Sequence, residues 1–248
     1  GTYFTRILAK KFGSQPFWKP HILSIAEFTN QISGLVIADQ ITLTFELFEV
    51  YSQFEPSIQL DTFYSWAAII LQDFDEVDKS LVAAEALFAN LKTRKQLDEA
   101  FELPEEQFAF LRHFWNIVLQ HYPDANASDA TASNNEMVNE FMRIWQCLGQ
   151  VYIGFRQRLF NNGLAYEGMA QRLLLEQLSN KKMRLPFTHI VFAGFNALTP
   201  VEKGLIDYAV KEQNALVYWD ADYFYLENEN HEAGKFIREY YQTYKNHE

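Results

Sequence analysis

His189-Ile-Val-Phe-Ala-Gly-Phe-Asn-Ala-Leu-Thr-Pro-Val-Glu-Lys-Gly-Leu-Ile206, together with Ala215-Leu-Val-Tyr-Trp-Asp-Ala-Asp222 a little further on, decides the fold class of this chain. His189 to Phe192 and Ala215 to Trp219 are short runs rich in β-branched and aromatic side chains, which predicts two strands. Between them a helix is expected to begin near Pro200, because proline suits the first turn, where a backbone N–H has no partner to lose. Strand, helix and strand in this order form a βαβ unit, and such a unit implies parallel pairing with a right-handed crossover. At the other end of the chain, His21 to Ile25 is a further short apolar run between Pro20 and a polar helix start. The expectation is a helix-rich α/β protein whose sheet is assembled from both ends of the chain, with a long helical insertion between them.

That insertion is read from apolar residues at i, i+3 and i+4 spacing from residue 39 to about 179, with very little glycine. Asp39 is placed to cap a helix running through Leu43, Phe45, Leu47, Phe48 and Val50 to Tyr51. Pro56 marks a break, and a second helical stretch starts near Asp61. It carries Phe63, Trp66, Ile69 and Ile70 and, past an acidic segment, Leu81, Val82, Leu87, Phe88 and Leu91. Pro104-Glu105-Glu106 reads as the first turn of a helix reaching about Tyr122, and residues 123–135 as a polar surface loop. Helix resumes from Asn135 to about Asn162, where Asn161, Asn162 and Gly163 supply a stop. Another helix is expected from Leu164 to Leu178.

With 248 residues, 48% of them apolar, the chain can bury one good core or one core plus a smaller helical lobe. Cys147 is the only cysteine, so no internal disulfide is possible, and a cytoplasmic setting is expected. No apolar run approaches the roughly 20 residues needed to span a bilayer, so no membrane is predicted as a partner. The chain opens at Gly1 directly into the amphipathic pattern Tyr3, Phe4, Ile7, Leu8, which predicts a piece of something longer. A net charge of −11 disfavours general nucleic-acid binding, which leans on Lys and Arg against phosphates. Lys92, Arg94, Lys95 and Lys181, Lys182, Arg184 are local basic clusters of the kind ordinary solvated surface also carries.

Several chemistries are missing their residues. No stretch matches the phosphate-binding G-x-x-x-x-G-K-[ST] or the dinucleotide G-x-G-x-x-G, and Gly13, Gly34 and Gly163 read as helix ends. Histidines 21, 113, 121, 189, 231 and 247 do not fall at metal-ligand spacing, and no second cysteine completes a thiolate site. No serine sits in a G-x-S-x-G elbow, and Cys147 lies in the apolar stripe Ile144, Trp145, Leu148, Val151, Tyr152, which places it in the core. The acidic run Asp73-Phe-Asp-Glu-Val-Asp78 is a carboxylate cluster in which Asp75 and Asp78 share a helix face. Such a pair can hold a divalent ion, or can simply be acids at a solvated helix start or bend. Asp207, Asp220 and Asp222 raise the same question near the strand ends, where open α/β sheets bind ligands.

The βαβ stretch quoted above resembles the second and third helicase motifs of AddB-type helicase-nuclease subunits and of their relative RecC. Trp66 to Leu71, Asp73 to Asp78, Leu81, Val82, Leu87, Phe88 and Leu91 resemble the helical insertion of the same subunits, and Pro20 to Phe28 is similar to the strand and helix that precede it. The resemblance implies a partial P-loop-NTPase-like parallel sheet of the superfamily 1 helicase kind. Residues 1–38 and 181–248 would form the degenerate core and 39–180 the inserted helical domain. Where working helicases carry an Asp-Glu pair for magnesium and water, this sequence aligns Ala193 and Gly194, and Ala26 stands where they place a histidine. Loss of the carboxylates removes the means to hydrolyse a nucleotide, so no catalytic or nucleotide-binding residue, metal or cofactor is expected here.

The family implies a region that guides DNA beside an attached nuclease domain and docks a partner helicase subunit. Ser24, Lys182 and Arg184 are the expected DNA contacts. An alternative is an ATPase whose P-loop precedes Gly1 and whose magnesium is held by Asp220 or Asp222. A third reading is a protein-interaction module, which the acidic, aromatic-rich insertion suits equally.

Overall fold

In the computed structural model the described residues are 2–13, 15–16, 18, 20–89, 147–195, 197–220, 222–228 and 231–244. Lys92, Arg94, Lys95, His113, His121, His247, the helix expected from Pro104 and the 123–135 loop fall outside them. Among the described residues no helix is long and apolar enough to cross a membrane. The architecture is helix-rich α/β, with two separate parallel sheets of two strands each.

Helix α1 spans Thr2–Phe12, and α2 spans Ile25–Ser33 behind a capping box in which Ser24 and Glu27 satisfy each other's backbone N–H groups. The expected strand at His21 to Ile25 is not formed: residues 21–24 are irregular up to the Ser24 cap. The strand near the amino terminus is instead β1, Val36–Ile37, which pairs in parallel with β2, Leu164–Ala165. Leu164 was expected to begin a helix. The ladder takes its place because Gly163, at φ +69°, turns the chain out of the preceding helix and lends its carbonyl to the N–H of Val36 at 2.9 Å.

Helices α3 (Gln40–Tyr51) and α4 (Leu60–Lys79) form the first part of the helical unit. Asp39 caps α3 as expected, accepting from the Thr42 N–H at 3.0 Å and its hydroxyl at 2.8 Å. Phe63 of α4 is completely buried between Phe48 and Tyr51, with ring centroids 5.3 and 5.2 Å away. Helix α4 does not run on past the acidic segment. Leu81 adopts the left-handed conformation at φ +55° and its N–H returns to the Asp78 carbonyl, so the chain breaks before α5, Ala84–Ala89. A leucine in that conformation costs roughly 1–2 kcal/mol, so the surrounding contacts must hold it there.

Helix α6, residues 147–161 as described, lays Leu148, Val151, Tyr152, Phe155 and Leu159 against α3 and α4. Cys147 is partly buried on the edge of this core, in keeping with its expected place in the stripe. Helix α7 spans Glu167–Ser179 and crosses both hydrophobic clusters of the molecule: Met169 and Ala170 belong to the helical core, Leu174 and Leu178 to the second. The seam between the clusters therefore falls inside α7.

The second cluster surrounds the predicted βαβ unit. Strand β3 (Val191–Ala193) and strand β4 (Leu216–Tyr218) pair in parallel, with Phe192 opposite Val217, and α8 (Pro200–Gln213) connects them. Thr199 and Glu202 form a capping box with Pro200 in the first turn, and Asn214 ends α8 at φ +52°. Phe192 and Val217 point into a core built from Phe28 of α2, Leu174 and Leu178 of α7, and Leu205, Ile206 and Ala209 of α8. The opposite face of the two strands, carrying Val191, Leu216 and Tyr218, is exposed. A short helix α9 (Tyr223–Glu227), a 3-10 turn (Glu232–Gly234) and helix α10 (Lys235–Thr243) complete the described chain.

Candidate functional site

The carboxyl ends of β3 and β4 lie side by side, the position where open parallel sheets place their ligands. Strand β3 delivers Ala193 and then Gly194, whose φ of +81° is glycine geometry and whose N–H approaches the Tyr218 carbonyl at 3.4 Å. A methyl group and a hydrogen stand at the two positions, and neither ligates a metal or orients water. Strand β4 delivers Trp219, buried against Tyr240 with ring centroids 5.4 Å apart and an interplanar angle of 17°, and then the exposed Asp220. Asp222 is exposed but already serves as the cap of α9, accepting from the Phe224 N–H at 2.8 Å. Among the described residues no group of three or more His, Cys, Asp or Glu side chains is placed to hold a metal ion.

Asp207 does not belong to this end of the sheet. It projects from α8 toward α10, where its carboxylate accepts from the Tyr244 hydroxyl and pairs with Lys203 at 3.1 Å. Burial, reinforced by that hydrogen bond and the Asp207 charge, holds the Tyr244 phenol far above its ordinary range.

The three expected DNA contacts occupy different local settings. Ser24 uses its hydroxyl and backbone N–H within the α2 capping box, and its backbone N–H donates to Glu27 at 2.7 Å. The hydrogen bonds from Ser24 hold the Glu27 carboxyl below its usual value. Lys182 is exposed one turn beyond α7, where its backbone N–H closes that helix on the Gln177 carbonyl at 3.0 Å. Arg184 is exposed as well, with Nη2 3.5 Å from the Glu212 carbonyl, at the outer limit of a hydrogen bond.

The acidic run gives the clearest departure from expectation. Asp75 and Asp78 lie in the last turns of α4, neither at its start nor in a solvated bend, and each has partners of its own. Asp75 bonds the Lys79 ammonium at 2.8 Å and accepts from the Gly168 N–H at 2.6 Å, so it caps α7 from a neighbouring helix. Only glycine fits there: a Cβ on residue 168 would lie 2.5 Å from the Asp75 carbonyl oxygen. Burial opposes the charge on Lys79, but the Asp75 and Glu167 carboxylates outweigh it and hold its pKa above the usual range.

Asp78 is completely buried and accepts from four side chains: the Tyr152 and Tyr166 hydroxyls, Arg156 at 3.0 Å and Arg172 at 3.3 Å. Arg156 also donates to the Tyr152 oxygen at 2.7 Å, and Arg172 to the Val82 carbonyl at 2.8 Å, which ties down the chain just past the left-handed Leu81. Burial first, and the Asp78 charge second, push both phenols well above their ordinary range. For Arg156 burial works against the charge, yet Asp78 together with the Tyr152 and Tyr166 phenols outweighs it and raises its pKa. Each of these shifts carries a pKa further from neutral pH, so the phenols stay protonated donors, Arg156 stays charged, and these groups are not arranged for acid–base chemistry. Sequence reading missed all four partners. One signal was present: Asp78 continues the buried stripe Ala67, Ile70, Phe74 at helical spacing, and an acid on a core stripe requires a buried partner.

Fold and strand ends together define a class: a helix-rich α/β protein carrying a parallel βαβ unit whose strand ends lack paired carboxylates. Comparison with protein-family models, with curated proteins and with solved structures finds no match to this chain.

Proposed function

We propose that this chain is a non-catalytic, helicase-like scaffold region of a DNA repair and recombination nuclease, positioning DNA for a nuclease domain carried elsewhere in the parent protein. The observation that carries the reading is the pair Ala193 and Gly194 at the carboxyl end of β3, in a parallel βαβ unit whose sequence resembles AddB-type subunits. A motor needs carboxylates at that point to hold magnesium and orient water, and here the strand end offers neither. A partner helicase subunit would supply the motor.

Fluorescence anisotropy with short single- and double-stranded DNA, followed across salt concentration, tests the reading. The expected result is affinity that falls as salt rises, with a slope that Arg184→Ala or Lys182→Ala lowers by about one. Absence of DNA affinity even at low salt sinks it. A second reading, a protein-interaction module, is favoured by the exposed Val191, Leu216 and Tyr218 on the uncovered face of β3 and β4. Tyr218→Lys leaves DNA affinity unchanged under the first reading and abolishes partner capture under the second.

A further inference from the structure

We infer that the groove between α6 and α7 binds an amphipathic anion with one small headgroup, a carboxylate or phosphate monoester, carried on an apolar body. The groove has a volume of about 550 Å³, within the range of small-molecule sites. Its walls are apolar, from Ile153, Phe160, Met169 and Leu173, and its polar side includes Arg156, Arg172 and Gln157.

The two guanidiniums are held from behind. Nη1 of Arg156 is fixed by Asp78 and the Tyr152 hydroxyl, and Nη1 of Arg172 by Asp78 and the Val82 carbonyl. Nε of Arg172 meets the half-exposed Glu176 at 3.2 Å. Nη2 of Arg172, and Nε and Nη2 of Arg156, make no hydrogen bond among the described residues. Planar N–H donors held in place match the oxygens of a carboxylate or phosphate, and little side-chain freedom remains to be lost on binding.

Charge favours a single anion. Two guanidiniums face the completely buried Asp78 carboxylate and the half-exposed Glu176, and the two phenols stay protonated, so the groove wall is balanced and an incoming anion takes the place of Glu176. Glu176 is the displaceable one of the two carboxylates, because its side chain is 49% exposed and an exposed ion pair is weak. A polyanion would also feel the net −11 of the whole chain, whereas a lone headgroup with an apolar tail meets mainly the two guanidiniums. This site is independent of DNA positioning, and either can fail without the other.

Isothermal titration of the full chain with octanoate and with octyl phosphate, against octanol and octylamine, tests the assignment. At least one anion is expected to bind one to one, about tenfold or more tighter than the neutral and cationic controls. The tighter of the two anions identifies the headgroup. Phe160→Asp, at a half-exposed wall position away from Asp78, is expected to weaken that binding about tenfold. Arg172→Gln should do the same, but it also disturbs Asp78, so Phe160→Asp carries the decision. Equal affinity for octanol and octanoate, no binding of either anion at millimolar concentration, or binding unchanged by Phe160→Asp overturns the inference.

Discussion

The helical unit and the βαβ unit solve the same problem, burying polar atoms beside large aromatic rings, by different means. In the helical unit a carboxylate sits at the centre of the core and is satisfied by four donors, from α6, from α7 and from Tyr166 just before α7. In the βαβ unit the core is apolar around Phe192, Val217 and Trp219, and its helix is held by caps from Thr199, Glu202 and Asn214 and, at its edge, by Asp207 with Tyr244 and Gln213 with Leu185 and Phe187. One unit depends on a completely buried charge and the other on caps, packing and part-buried bonds. They should therefore respond differently to the removal of charge, of volume and of protons.

The largest difference is expected from Asp78→Asn. Removing the charge leaves the part-buried Arg156 without a counter-ion and Arg172 with only the half-exposed Glu176, a loss of about 3 kcal/mol. Hydrogen exchange should show protection falling first in α4 and α6, with α8 retaining most of its own. Equal loss in α8 would break the comparison and make the molecule a single cooperative block. Leu205→Ala is the reciprocal test. Leu205 is nearly inaccessible in the second cluster, and its truncation should cost about 3 kcal/mol, lost from α8 before α4.

Alkaline pH sharpens the contrast. Tyr152 and Tyr166 in one unit and Tyr244 in the other all hold their protons more tightly when folded than the ordinary phenol near pH 10. A raised folded-state pKa stabilises fully below the unfolded value, and that stability drains away as pH rises through the folded one. Each phenol should contribute a slope approaching about 1.4 kcal/mol per pH unit above pH 10. The helical unit, with two such groups, should weaken about twice as steeply, and Tyr152→Phe should halve the slope in a denaturant series taken at rising pH. The smallest effect is Thr199→Ala, which removes the α8 capping box at a cost of about 1 kcal/mol and should leave α4 untouched. A comparable loss in α4 would mean that the cap supports more than its own helix.

The same division governs what the sequence could reveal. The βαβ unit was legible because its signals are local: β-prone runs, and a proline at the head of a helix. The Asp39 cap and the Gly163 stop were read for the same reason. Strands β1 and β2 were not legible, since two residues are too few to display alternation and Leu164-Ala165 fits a helix equally well. Nothing in Leu81 announces a left-handed backbone. The partners of Asp78 lie 74 to 94 residues further along the chain, beyond the reach of any periodicity argument. At the strand ends, the identities of Ala193 and Gly194 could be read directly, but the use of Asp222 as a cap and of Asp207 against Tyr244 needed three dimensions.

The Gln213 side chain bears on the order of events in time. Its amide reaches back from the end of α8 to the Leu185 N–H at 3.0 Å and to the Leu185 and Phe187 carbonyls at 3.0 and 3.3 Å, closing a loop of 28 residues around β3 and α8. Short loops close at modest entropic cost, whereas the Asp78 cluster must wait for Tyr152, Tyr166 and Arg172 to return from far along the chain. Pulse-labelling during refolding should therefore find the amides of α8 protected before those of α4. The segment nearer the carboxyl terminus would then be the first to set, and the helical unit would assemble against a surface already formed.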